Sequence, residues 1–285
     1  MIDVITDTLL DALKLLPFLF ITYLIMEYIE SKAGDSFNEA VSRAGVLGPL
    51  FGGVLGAFPQ CGFSAAASNL YAGRVITLGT LLSIFLSTSD EMLPIFVSEQ
   101  MNVSSIVKIL AIKALMGAFW GFFVDFVLKL MHKKKADIDI ERLCKKEHCH
   151  CEDEEGILKP ALVHTGHIFL FLIIVTFCIN IAVFFIGEDT IKLLAVGVPF
   201  LGAVVSGLIG LIPNCAASVV LTELYLEGIL SFGALMSGLM VAAGVGLLVL
   251  FRVNDNKKEN VRITLILYGI GVISGIIIEA AGVVV

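Results

Sequence analysis

The chain has 285 residues, 58% of them hydrophobic and 16% charged, with a formal net charge of −7 and a mean hydropathy of +0.96. A soluble domain carries about a quarter charged residues, so this composition excludes an ordinary water-soluble globule and indicates a helical membrane protein. The acidic balance, with no basic patch beside aromatics, excludes nucleic acid as a partner.

In chain order, the amino terminus MIDVITDTLLDALKLL is acidic and has no small-residue cleavage site. The first apolar run is therefore expected to be retained as a span rather than removed as a signal peptide. Five helical segments are predicted in the first part of the chain: 8–30, 45–58, 62–72, 75–97 and 105–131. Two are short for a bilayer, which takes about 20 residues to cross. Segment 45–58 would rise ~21 Å and 62–72 ~17 Å. They flank FPQCGF at 58–63, which predicts a broken or re-entrant helix pair folded at Pro59-Gln60-Cys61. Irregular backbone at membrane depth is tolerated only where protein or a wet cavity surrounds it. Polar residues also lie at depth further on: Ser87, Thr88, Ser89, Asp90 and Glu91 in the fourth segment and Lys113 in the fifth. Charges in a bilayer normally pair or line a path, so Lys113 is expected to neutralise Asp90 or Glu91, as a coupling site or a structural ion pair.

A linker at 132–163 follows, opening on His132-Lys133-Lys134-Lys135 and containing CKKEHCHCEDEE at 144–155. Cys144, His148, Cys149, His150 and Cys151 form a dense set of soft ligands suited to Zn, Cu(I) or thiophilic ions. The spacing is too tight for a structural finger and fits a loading or sensing loop. His164 and His167 add a weaker metal signal just beyond it. The remaining cysteines, Cys61, Cys178 and Cys215, lie in apolar segments, a distribution that suggests ligands or free thiols rather than a secreted disulfide frame.

The last part of the chain, 164–285, repeats the first, 1–131. Its segments are 164–187, 192–211, 215–226, 229–251 and 261–284. A shift of 154 residues sets Pro59 on Pro213, Gln60 on Asn214, Cys61 on Cys215 and Ser64 on Ser218. The same shift sets Asn69 on Glu223, Tyr71 on Tyr225, Gly117 on Gly271, Gly121 on Gly275 and Asp125 on Glu279. Asp125 and Glu279, about six residues from the membrane faces, are expected to snorkel. The paired glycines at i and i+4 read as close-packing helix faces. Five segments per copy is an odd number, so the second copy is expected upside down. With the linker in the cytoplasm, 14 of the 19 Lys and Arg fall in cytoplasmic connections, as the positive-inside rule requires. The expectation is an all-α polytopic membrane protein of about ten segments in two inverted five-segment repeats, set in the cell (inner) membrane. Both termini would be outside and 132–163 cytoplasmic.

Inverted repeats with discontinuous helices are the build of secondary transporters. A helix begins after each Pro-amide-Cys turn, and helix starts carry partial positive charge. The candidate substrate site is therefore Gln60, Cys61, Ser64, Asn214, Cys215 and Ser218, which could hold an anion or a metal. Asn69 and Glu223 are candidates for a cavity mouth. An intramembrane cysteine enzyme would need a base near Cys61 or Cys215, and neither broken helix holds a histidine. No Walker motif appears, so no built-in ATPase is expected.

The two Pro-(Gln/Asn)-Cys motifs, the ten-segment layout and the His-bearing central loop resemble the ten-transmembrane heavy-metal exporters, whose members are labelled arsenic efflux proteins or manganese transporters. The PQCG stretch is more distantly similar to the Pro-x-Cys-x-Cys-Gly stretch of arsenical permeases, with Gly62-Phe63 in place of a second cysteine. The resemblance implies a non-enzymatic exporter with no required cofactor and a metal ion as substrate or linker ligand. Its partners would be the lipid bilayer and a small inorganic ion or other small molecule, with homo-oligomerisation left open.

Overall fold

The computed structural model describes residues 45, 47–57, 61–89, 92–131, 201–213 and 215–283, with scattered positions between 16 and 24 and between 158 and 177. The described residues form helices and no strands. In chain order these are α1 (Gly48–Gly56), α2 (Cys61–Ala72), α3 (Leu78–Ser87), α4 (Met92–Ser98), α5 (Val103–Leu130), α6 (Leu201–Gly210), α7 (Cys215–Leu226), α8 (Phe232–Val241), α9 (Gly246–Val253) and α10 (Lys257–Ala280). Shifted by 154 residues, α2 and α3 coincide end for end with α7 and α8. Among the described residues, four stretches are long and apolar enough to cross a membrane: Leu78–Ser98, Val103–Leu130, Phe232–Val253 and Lys257–Ala280. This is an all-helical polytopic membrane protein.

The stretches predicted as single segments at 75–97, with its polar run at 87–91, and at 229–251 are each interrupted. α3 stops at Ser87 and α8 at Val241. The local causes differ. At the first interruption three hydroxyls turn back onto carbonyls: Ser87 on Ser83 at 2.8 Å, Thr88 on Ile84 at 2.7 Å, and Ser89 on Ala57 at 2.8 Å. Such side-chain bonds offer the backbone an alternative to the helix ladder. At the second, Ala242 leaves helical geometry and Gly244 sits at φ +52°, a left-handed conformation that glycine adopts without steric cost.

Small residues set the packing. α3 lies against α1 and α5, and α8 against α6 and α10. A β-carbon on Gly121 would stand 2.6 Å from the Gly79 carbonyl, and one on Gly275 2.5 Å from that of Gly233. Ser83 donates to the Pro49 carbonyl and Ser237 to that of Ala203, both at 2.6 Å. These two bonds occupy equivalent places under the 154-residue shift. α3 and α8 form the centre of the buried core, with Leu81, Phe85, Leu235 and Leu239 enclosed. The large apolar residues of α5, among them Leu115, Phe119 and Phe126, are exposed along its outer face, as a lipid-covered helix requires.

Candidate functional site

The interior polar site is built from helix ends. α2 opens at Cys61 and α7 at Cys215. Ser64 and Ser218, in their first turns, are fully enclosed. One turn on, Ser68 donates to the Ser64 carbonyl at 2.9 Å and to the Gly246 carbonyl at 2.7 Å. Gly246 opens α9, so the start of α2 meets the interruption between α8 and α9. The approach is close enough that a β-carbon on Gly246 would stand 2.7 Å from that of Ser64. In the other half Thr222 donates to the Ser218 carbonyl at 2.7 Å, and α7 packs against α4. Each half thus lends its post-motif helix to the interrupted helix of the other.

Where α3 and α8 stop, backbone carbonyls lose their helical partners. A continuous helix would direct the Met92 amide to Thr88 and the Ala243 amide to Leu239. They donate instead to Ser89 and Val241. Lys113 of α5 supplies both missing donors. Its ammonium donates to the Thr88 carbonyl at 2.5 Å and to the Leu239 carbonyl at 2.8 Å. The side chain is wholly buried. Its equivalent in the second half, Leu267, is also enclosed, so a single lysine serves both helix ends.

The opposite ends of α3 and α8 receive carboxylates. Asp125 accepts from Thr77 Oγ1 at 2.6 Å and from the Gly79 amide at 2.8 Å. Glu279 accepts from the Gly233 amide at 3.1 Å. Both were expected to snorkel toward water. They accept from helix-start amides, which otherwise lack partners and carry the complementary charge. α5 therefore runs antiparallel beside α3, setting an acid at the positive end of α3 and a base at the negative end of α3.

Other contacts join the halves at the rim. Arg74, in the turn after α2, pairs with Glu259 at the start of α10 through bonds of 3.1 and 3.2 Å. Those bonds raise the Arg74 pKa further above its ordinary value. Tyr71 donates to the same carboxylate, and the guanidinium lies 5.3 Å from the centre of the Tyr71 ring. Away from this cluster, Phe96 of α4 meets Tyr225 of α7 edge-on at 6.3 Å. Trp120 of α5 donates to Ser274 of α10 at 2.9 Å, a pair equivalent under the 154-residue shift. A groove of about 380 Å³, lined by Tyr225, Ser231, Phe232, Glu279 and Val283, lies at the end of α8 remote from Lys113.

Of the residues singled out in the sequence, Ser64 and Ser218 take equivalent buried positions. Ser87 and Thr88 line the interruption that Lys113 reaches. Asn69 is enclosed in α2, and Glu223 is half-buried on α7. Gln60, Asn214, Asp90, Glu91 and the thiols of Cys61 and Cys215 lie outside the described residues. So do His164, His167 and the linker set Cys144, His148, Cys149, His150 and Cys151. Among the described residues no group of three or more His, Cys, Asp or Glu is placed to hold a metal. Sequence reasoning missed the α8–α9 interruption, which Ala242-Ala243-Gly244 signals only weakly. It also missed Ser68, whose hydroxyl falls one turn from Ser64.

A family model described as "Putative, 10TM heavy-metal exporter" matches residues 1–202. The chain belongs to this family. The matched segment holds the first Pro-Gln-Cys motif, the first interruption and Lys113. Helices α7 to α10 lie beyond it and are tied to it by the internal 154-residue correspondence. Neither the curated proteins nor the solved structures contain a match. The exporter family describes a transporter, a class that needs no catalytic residue in the membrane.

Proposed function

We propose that the protein is a secondary exporter of a metal or metalloid ion, working by alternating access of two inverted five-segment halves. Substrate would be held between the helix starts that follow Pro59-Gln60-Cys61 and Pro213-Asn214-Cys215. The observation that carries this reading is the reciprocal meeting of helix ends. α2 joins the α8–α9 interruption through Ser68 and Gly246, and α7 packs on α4, the helix that follows the other interruption. Joints of irregular backbone between two halves are where transporters bind ions. Inversion is supported by the odd number of segments per half and by the Arg74–Glu259 pair, which brings the turn after α2 to the start of α10. Cys61 and Cys215 would supply soft ligands to a thiophilic ion, whereas a hard ion such as manganese would lean on Gln60, Asn214, Asp90 and Glu91. The linker thiols and imidazoles would load or sense the same ion on the cytoplasmic side.

A second reading, a small anion at the helix starts, is favoured by one feature. Neither α2 nor α7 carries an acidic residue in its first turn, so their partial positive charge is uncompensated there. A sensitivity panel in a deletion host separates the two, covering manganese, zinc, copper, arsenite, organoarsenicals and common anions. The metal reading predicts that the double variant Cys61→Ser, Cys215→Ser loses resistance to a thiophilic ion. Full resistance in that variant would remove the thiols from the mechanism, and resistance limited to anions would establish the second reading. Loss of resistance only when the linker Cys and His are replaced would move the metal chemistry into the loop.

A further inference from the structure

We propose that the Lys113 ammonium is the tethered occupant of a monovalent-cation site formed by two interrupted helices, one from each half. Its ligands include the Thr88 and Leu239 carbonyls, at 2.5 and 2.8 Å. Both are freed by the interruptions, since the amides that would have bonded them turn to Ser89 and Val241. Each helix end carries partial negative charge, which favours a cation there. Hard backbone carbonyls at unwound helix ends are the ligand type that holds a sodium ion or a proton carrier in transporters. Here the chain provides the cation itself, fixed to α5 and wholly buried.

The asymmetry between the halves fits this assignment. A second lysine at position 267 would bring a second charge to the same pair of ends, and the chain carries leucine there. Lys113 reaches 25 positions back to Thr88 and 126 positions forward to Leu239. It therefore fastens α3 to α8, the two helices at the centre of the core. Two consequences follow. The intact protein needs no free sodium or potassium to join these ends. Removing the ammonium while leaving space opens the site to a small cation from solution.

The test is thermal unfolding of the purified full-length protein in detergent, at constant ionic strength, with choline, sodium, potassium or lithium as the monovalent cation. It rests on no transport measurement, so its failure is separable from failure of the exporter reading. The unmodified protein is expected to melt at the same temperature in all four. Lys113→Ala is expected to melt roughly 10 °C lower in choline, the scale set by breaking a buried charged contact in a chain of this size. At least half of that loss should return in one of the small cations or in methylammonium. Lys113→Met, which fills the space with an apolar chain, should lose stability without cation rescue. Should Lys113→Ala give no folded protein in choline, recovery of folded protein only when a small cation or methylammonium is supplied supports the site. The assignment is overturned by a stabilising effect of sodium or potassium on the unmodified protein. It is equally overturned by undiminished stability of Lys113→Ala in choline, by failure of every cation to rescue it, or by equal rescue of Lys113→Met.

Discussion

The acids that face the starts of α3 and α8 show how little a residue's type reveals until its partners are known. Asp125 and Glu279 occupy equivalent positions, yet Asp125 accepts two bonds, at 2.6 and 2.8 Å, and Glu279 accepts the corresponding amide at 3.1 Å. Thr77 also accepts from the Thr80 amide, so the first turn of α3 is held by two linked side chains. Removing a partner from buried polar groups costs about 1–3 kcal/mol for each group left unsatisfied. Asp125→Ala is therefore expected to destabilise the protein by about 2–3 kcal/mol and Glu279→Ala by about 1 kcal/mol, read from denaturant unfolding in detergent. Equal losses would show that the second acid bonds as strongly as the first. In the sequence these acids are only charges near a membrane face. Their role lies in backbone amides some 46 positions away, and backbone amides leave no mark in residue identity.

At the scale of helices, the correspondence between halves was legible because packing depends on residue size. Gly117, Gly121, Gly271 and Gly275 recur at the 154-residue spacing and lie where α3 meets α5 and α8 meets α10. The interruptions were less legible. The first is written in Ser87-Thr88-Ser89, but the second is apolar and sits inside an unbroken hydrophobic run, where hydropathy gives no reason to stop a helix. Lys113 was recognised as a buried charge in need of a partner, and the acids expected to meet it, Asp90 and Glu91, lie outside the described residues. The partners described are carbonyls from two helix ends, one of them in the other half. On the packing side, α10 offers an internal comparison. A methyl group on Gly275 would meet the Gly233 carbonyl at 2.5 Å, whereas one on Gly269 would meet nothing within 4 Å. Gly275→Ala is expected to force α8 and α10 apart and cost about 3 kcal/mol or more, beyond the usual cost of overpacking because backbone cannot move aside. Gly269→Ala, six positions away, should be neutral or stabilising by up to about 1 kcal/mol. Similar losses at both positions, measured by thermal unfolding, would mean that helix flexibility rather than close approach explains the glycines.

For the whole molecule, the contacts at the rim constrain how the halves are set in the membrane. Arg74 and Glu259 tie the turn after α2 to the start of α10. Phe96 and Tyr225 tie the end of α4 to the end of α7. If the halves are inverted, the ends of α2 and α7, equivalent in sequence, open on opposite faces. Two sets of positions then belong to opposite sides: Val75 with Lys258, and Glu99 with Glu227. Glu99, Glu227 and Lys258 are exposed and Val75 is half-buried, so single cysteines placed there in a background lacking the native ones report their side directly. An impermeant maleimide added to intact cells is expected to label cysteines at 99 and 227. Those at 75 and 258 should be labelled only after the membrane is opened. The positive charge near positions 75 and 258, with Arg74, Arg252, Lys257, Lys258 and Arg262, predicts that this side is the cytoplasmic one. Labelling of 75 and 227 from the same side would make the halves parallel, and the reciprocal contacts of α2 with α9 and α7 with α4 could then not serve as alternating gates. Labelling of 75 and 258 from outside, with 99 and 227 protected, would keep the inversion and reverse the orientation, placing the Cys- and His-rich linker at 132–163 outside the cell.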